Sequence, residues 1–325
     1  MRFHLSSTSR ILGIIGIAGL IVAAVPGIAE ASPHGGGNFT CNGTLASPGT
    51  LAGNYANVYV AGVCLIDAGN VNVSGNLMVG PGASLVGDFG QNDLTHSGTS
   101  NLTVHGNVAV LQGASLMIGC YPLVVTVWGV GHTIQTPDFP CFDDPDPFGT
   151  PTLSATESIG GNLTAFGALG VVVHNTVVHG NVYETGGGNG TAFNPVGIFA
   201  VYIPGIALPA YFDYANVTVG GNMVVTGMNE NWYGIIRNTV HGNLINTNNN
   251  VEADGNEVVD NIVYGNLVCT GNNPAVQFGD SDGGPNRVGG NATGECAFGL
   301  LLPNPPPEAG AGVPPVFQPI SVHLH

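Results

Sequence analysis

Three observations predict an all-β fold, a right-handed parallel β-helix (solenoid) with a capping N-terminal segment and long loop insertions: an apolar-x-Gly-Asn-apolar unit recurring eight times, short alternating apolar triplets, and a glycine-rich, charge-poor composition. Charged residues are 7% of the chain, against roughly a quarter in an ordinary soluble domain. The apolar share of 44% separates the chain from disordered sequences. The 4 Lys plus Arg face 20 Asp plus Glu, a formal charge of −16, which excludes nucleic acid as a partner because nothing could neutralise a phosphate backbone.

The repeated unit reads apolar-x-Gly-Asn-apolar, and its asparagines are Asn76, Asn107, Asn162, Asn181, Asn222, Asn243, Asn266 and Asn291. Successive intervals are 31, 55, 19, 41, 21, 23 and 25 residues. Four lie near twenty, 41 reads as about two units, and 31 and 55 read as one or two units with insertions. A coil of about twenty residues holds two or three short strands and pairs in parallel with the next coil. In Val71-Asn72-Val73 and Leu102-Thr103-Val104 the apolar side chains share one face, which is assigned to the interior. The glycine is expected to supply a positive φ at the bend. The asparagines are expected to stack and to hydrogen-bond from coil to coil. Consecutive hairpins, the alternative, favour Asn-Gly in the reverse order and need a second turn on a regular beat. The right hand follows from the general crossover rule.

Taken in order, residues 1–31 read as a signal peptide: Arg2 and Arg10, the apolar run Ile11–Val25, then Ala29-Glu30-Ala31 as the cleavage signal. The run is shorter than the roughly 20 residues that span a bilayer. Cleavage after Ala31 leaves Arg237 and Arg287 as the only fixed cations and a formal charge of −17. No transmembrane segment is expected after removal of the signal, so the product is read as secreted or cell-surface associated. Residues 32–302 form the β-helix domain, interrupted near 120–151 and 186–215, with a shorter insertion at 228–236 around Trp232 and Tyr233. Asn38–Asp67 is read as a cap without Gly-Asn, and 303–325 as a Pro-rich, extended tail.

The six cysteines suit an oxidising compartment. Of the 15 possible pairings, local ones are expected: Cys41 with Cys64, Cys120 with Cys141, and Cys269 with Cys296. No couple has the spacing of a zinc site.

The string NIVYGNLVC at Asn261–Cys269, continued by TGNNPAVQ and by NRVGGNATGEC at Asn286–Cys296, resembles the C-terminal signature of secreted actinobacterial Gly-Asn-repeat proteins. The similarity covers about residues 39–300 and is strongest after Val217. It implies export and a right-handed parallel β-helix but carries no activity. The long insertions depart from the uninterrupted coils of that family.

His105, His179 and His241 share one repeat position in Val-His-Gly-Asn. Strand alternation turns them outward, so they read as surface substitutions rather than a metal ladder. The β-helix scaffold also hosts polysaccharide lyases and hydrolases. Such chemistry would draw on Asp143, Asp144 and Asp146 or on Asp280 and Asp282, which could also gather Ca²⁺, and on Arg237 or Arg287. Neither acidic group matches an EF-hand, and no pair of carboxylates is assignable to one groove, so no cofactor is expected and Ca²⁺ is the alternative. Ile198–Phe212, almost wholly apolar, is read as cover for one side of the solenoid, or else as a surface for a partner. Ice or mineral binding would need a regular outward threonine row, which the spacing does not reveal. The functional expectation is therefore a secreted, non-enzymatic structural or surface-binding protein with an extracellular glycan or protein partner; the alternative is a carbohydrate-active enzyme.

Overall fold

Strands of two to six residues, too short to fold alone, are stacked here into three long parallel sheets. The structure is a computed structural model, and it describes residues 36–121, 125–127, 133–134, 141–144, 152–192, 194, 196–197, 212–252, 255–277, 285–298, 301–303 and 321–322. Residues 1–31, read from the sequence as a signal peptide, the apolar run 198–211, Asp146, Asp280 and Asp282, and most of the tail lie outside the described residues.

The first sheet has ten strands, from Phe39–Cys41 to Ala292–Gly294. The second has eight, from Gly49–Thr50 to Asn256–Val259, and the third has ten, from Gly53–Tyr55 to Leu301–Pro303. Each of the first eight coils gives one strand to each sheet in turn, and the strands pair in parallel with their equivalents one coil on. This is the architecture of a parallel β-helix of ten coils among the described residues. In the ninth coil the second sheet continues only as a bridge from Glu257 to Gln277.

Alternation fills the interior. On the first sheet Val58, Leu77, Val108, Leu163, Val182, Met223, Leu244 and Leu267 stack in register, all at most 2% exposed. A fully buried aliphatic side chain of this size contributes about 1.5–3 kcal/mol, so such a row is a principal source of cohesion between coils. The neighbouring inward row begins Val60, Val79, Val110, Ala165 and then turns polar at Glu184 and Asn246. There Tyr214 donates its hydroxyl to Glu184 Oε2, and Tyr233 donates to Asn246 Oδ1 at 2.5 Å. Hydrogen bonding offsets the burial of these groups, and the sequence pattern gave no sign of it.

The N-terminal segment caps the solenoid as its terminal coil. Its strands Phe39–Cys41, Gly49–Thr50 and Gly53–Tyr55 form a complete first coil in register with the second. The 41-residue interval holds one coil rather than two: Val182–Gly187, Phe212–Ala215 and Thr218–Val219, with the insertion between the first two strands. Trp232 and Tyr233 do not belong to an insertion either, because Tyr233–Ile236 is a regular strand of the second sheet.

From Ser84–Gly87 onward the second sheet is buried on both faces. Its outward side chains Val86, Met117 and Val172 pack with Phe89, Phe142, Val196 and Trp232. Phe142 belongs to the first insertion and Val196 to the second, so both insertions cover this wall; the Phe89 and Phe142 rings lie 5.5 Å apart. In the first insertion Val125–Val127 pairs antiparallel with Thr133–Ile134 and parallel with Ser321–Val322 of the tail.

All three local cysteine pairs are disulfides. Cys120–Cys141, 21 residues apart, ties the root of the first insertion to the second sheet. Replacing both with alanine should cost about 3 kcal/mol in the chain-entropy account. It should also raise binding of a hydrophobic dye as the cover loosens from Phe89 and Met117. An unchanged denaturation midpoint together with unchanged dye binding would show that the bridge does not hold the cover.

Candidate functional site

The eight repeat asparagines run up one corner, between the third and first sheets. Each Oδ1 accepts the backbone N–H of the next asparagine at 2.8–2.9 Å, from Asn76 through Asn107, Asn162, Asn181, Asn222, Asn243 and Asn266 to Asn291. In most rungs the side-chain amide donates to the same oxygen. The ladder begins earlier than the motif indicates: Asn76 N–H donates to Asn57 Oδ1, and Asn57 Nδ2 to Asn38 Oδ1. Asn57 escaped notice because alanine precedes it, and Asn38 because a glycine stands at the motif's first, apolar position.

The glycine of the motif does a different job from the one expected. None of the eight has positive φ. Instead, a Cβ on Gly242 would lie 2.6 Å from Asn222 Oδ1 and 2.6 Å from the Gly221 carbonyl oxygen, and its equivalents are as crowded. Close coil-to-coil approach, not backbone handedness, demands glycine here. Left-handed residues sit at the other corners: Gly82, Gly113, Gly227, Asn248 and Gly271 follow strands of the first sheet, and Asn175, Asn216, Arg237 and Asp260, with φ from 46° to 58°, lie at the corner between the second and third sheets.

A second asparagine ladder, buried and unpredicted, occupies that corner. Asn238, Asn261 and Asn286 are at most 1% exposed, and each Oδ1 accepts an N–H from the preceding coil: Val217, Asn238 and Asn261. Glu157 takes the equivalent place in an earlier coil, its carboxylate accepting the Leu102 N–H. The signal that could have revealed it is an asparagine five residues before each of Asn243, Asn266 and Asn291.

His105, His179 and His241 are exposed. His241 stacks on Tyr264 at 5.0 Å, and His105 Nε2 lies 3.1 Å from Asn72 Oδ1. Arg237 Nε donates to Asn216 Oδ1 at 3.1 Å, and burial lowers its pKa to about 10. The guanidinium is thus tied into the corner stack.

The acidic insertion divides. Asp144 Oδ2 accepts the N–H groups of Thr152 at 2.8 Å and Leu153 at 3.2 Å, a loop-closing role. Asp143 Oδ2 accepts the Gln91 N–H at 2.6 Å and feels the charges of Asp93 and Asp67. Nearby, Asp88 is 2% exposed and feels both His174 and Asp143. His174 Nε2 lies 2.8 Å from Asp213 Oδ2, with both side chains buried. Glu157 feels Asp88. Burial is the main cause that raises the carboxyls of Asp88, Asp143, Glu157 and Asp213, Asp88 to about 8 and Asp143 to about 6. Among the described residues, no three His, Cys, Asp or Glu are placed to hold a metal ion.

The sign of the pH effect follows. A carboxyl whose pKa rises on folding adds no penalty below about pH 4, and the penalty grows until pH reaches the folded value. Stability should therefore fall from about pH 4 to about 8, with Asp88 and Glu184, also raised to about 8 by burial, dominating the upper part. Melting temperature measured across that window should drop by about 10 °C. The Asp88→Asn variant should show a shallower slope; a slope parallel to the native one would remove Asp88 from the account.

The first and third sheets both keep an outward face open to solvent, and that of the first carries no charge. The first sheet's outward row runs, rung by rung, through Thr40, Tyr59, Met78, Ala109 and Thr164, then Tyr183, Val224, Ile245, Val268 and Thr293. Beside it Phe166, Thr185, Thr226, Thr247 and Thr270 form a second row in register, and Thr247 Oγ1 donates to Thr226 Oγ1 at 3.0 Å. An outward threonine row thus exists over four coils, hidden in the sequence by the insertion that separates Thr185 from Thr226. Neither row carries an acid, a base or a histidine. The third sheet's outward row, open at Asn54, Asn72 and Val177, carries Arg287, and the second sheet is covered.

Fold and surface together define a disulfide-stapled parallel β-helix whose open first-sheet wall carries no charge on its outward rows. No protein-family model, curated protein or solved structure matches the chain.

Proposed function

We propose that the protein is exported and acts outside the cell as a non-enzymatic structural or surface-binding solenoid whose working face is the first sheet. The observation that carries this reading is the open wall itself: ten paired rungs with no fixed charge in a chain of net charge −16. Such a wall is held rigid by its ladders, and a rigid face loses little conformational entropy when it docks. Export is supported by the N-terminal Arg2–Ala31 pattern and by three disulfides, which persist in oxidising compartments. Among the described residues, no helix is long and apolar enough to cross a membrane.

The acidic residues support the non-enzymatic side of the reading. Asp88, Glu157 and Asp213 are at most 3% exposed, Asp144 closes a loop, and hydrolysis needs two carboxylates on one accessible groove. The test is co-sedimentation of purified protein with cell-envelope fragments, alongside incubation with a panel of polysaccharides. Saturable binding is expected, lost when Val224 and Ile245 are both replaced by lysine, with no release of sugar products. Accumulation of cleaved or unsaturated products that stops in Asp88→Asn would replace this reading with the enzymatic one.

A further inference from the structure

We infer that the first-sheet wall binds an extended, uncharged polysaccharide chain, with Tyr59, Phe166 and Tyr183 as its stacking platforms. This rests on the surface-binding reading above and names its ligand class.

The aromatic residues are the first argument. Large apolar side chains exposed on this wall are Tyr59 at 39%, Met78 at 40%, Phe166 at 53% and Tyr183 at 36%. They project from strands rather than loops, so their positions are fixed by the ladder. Tyr59 is seated by a specific device: Gly80, one coil on, lacks the Cβ that would otherwise lie 2.8 Å from Tyr59 Cζ. The phenol therefore leans across the neighbouring coil while the side chain stays 39% exposed. An exposed aromatic ring offers its negative face to the C–H bonds of a pyranose, the geometry by which sugars stack on aromatic side chains.

Spacing is the second argument. Tyr59 and Tyr183 occupy the same outward row four rungs apart, about 19 Å at the usual distance between paired strands. An extended β-linked glycan advances by nearly one rung per sugar, so both rings can meet the same chain several sugars apart. Thr226 and Thr247 continue the platform with hydroxyls that donate and accept, matched to sugar hydroxyls.

Charge decides the class. A strongly acidic chain repels polyanions, and a wall without cations gives acidic glycans, nucleic acids or phosphorylated lipids nothing to pair with. A neutral glycan pays no such penalty.

The experiment uses the full mature chain with microcrystalline cellulose, chitin and soluble β-glucan as neutral probes and polygalacturonate as the anionic one. Binding to at least one neutral probe and none to polygalacturonate is expected. The variant carrying Tyr59→Ala, Phe166→Ala and Tyr183→Ala should bind at least about tenfold more weakly, while its thermal midpoint and disulfides stay unchanged. If the wild type ignores every neutral probe yet binds envelope fragments through Val224 and Ile245, the ligand class is wrong and the surface-binding reading survives. If it binds neither, both fall. Undiminished glycan binding by the triple variant overturns the inference, as does a dimer that Ile245→Lys dissociates, since the wall would then be covered by a second copy. Inhibition of ice growth that depends on Thr226 and Thr247, without glycan binding, overturns it as well.

Discussion

Asn261→Ala should lower stability by about 4 kcal/mol, the largest loss expected from any single ladder residue. Asn261 is fully buried, and its Oδ1 accepts both the backbone N–H of Asn238 at 2.9 Å and its side-chain amide at 3.0 Å. Its own amide donates to the Ile235 carbonyl at 2.7 Å and to Asn286 Oδ1 at 3.0 Å. Alanine strips two donors of their acceptor in a place that water does not reach, and each orphaned group costs about 1–3 kcal/mol. The fitting comparison is Asn266→Ala in the outer ladder. Asn266 Oδ1 accepts the Asn291 N–H at 2.9 Å and its amide donates to Asn243 Oδ1 at 3.0 Å, but Asn266 is exposed and water can take its place. That variant should lose about 1 kcal/mol. Guanidinium titration of the two proteins side by side is sufficient; equal losses would show that burial does not set the worth of these ladders.

Replacing Gly242 with alanine should cost about 3 kcal/mol, at the upper end of what overpacking costs, even though its φ is one that any residue adopts. The added methyl would fall 2.6 Å from both Asn222 Oδ1 and the Gly221 carbonyl oxygen, and backbone on a paired rung cannot retreat. Gly113 supplies the opposite case. Its φ is 69°, yet the nearest atom to an added Cβ is 3.9 Å away. Gly113→Ala should therefore lose only the left-handed strain, about 1 kcal/mol. Hydrogen exchange of coils flanking Gly242 gives a second readout, because a solenoid opens locally around a damaged rung. A larger loss at Gly113 than at Gly242 would restore backbone handedness as the reason for the motif.

These two substitutions mark where sequence reasoning reached and where it stopped. The Gly-Asn beat revealed the coil because one corner imposes the same requirement on every turn. It misled on mechanism, since a glycine looks identical whether it frees φ or makes room. Asn57 was missed because an alanine stands where the motif has glycine, Asn38 because a glycine rather than an apolar residue stands two places before its Gly37, and the interval of 41 was divided wrongly because an insertion and an extra coil lengthen a chain alike. The inner ladder of Asn238, Asn261 and Asn286 spans only the later coils, too few for its own period to stand out against an asparagine-rich background. The candidate site was less legible still. Tyr59, Phe166, Tyr183 and the threonine row lie far apart in the chain and meet only through strand register.

By itself, then, the sequence determined a repeating, parallel, all-β architecture and its three local disulfides, because period, alternation and cysteine spacing are properties of neighbouring residues. Only the tertiary structure decided which wall is covered and which are open, and which polar groups are buried. Those outcomes depend on how a residue in one coil sits against another twenty to fifty positions away, and the insertions change that offset from coil to coil.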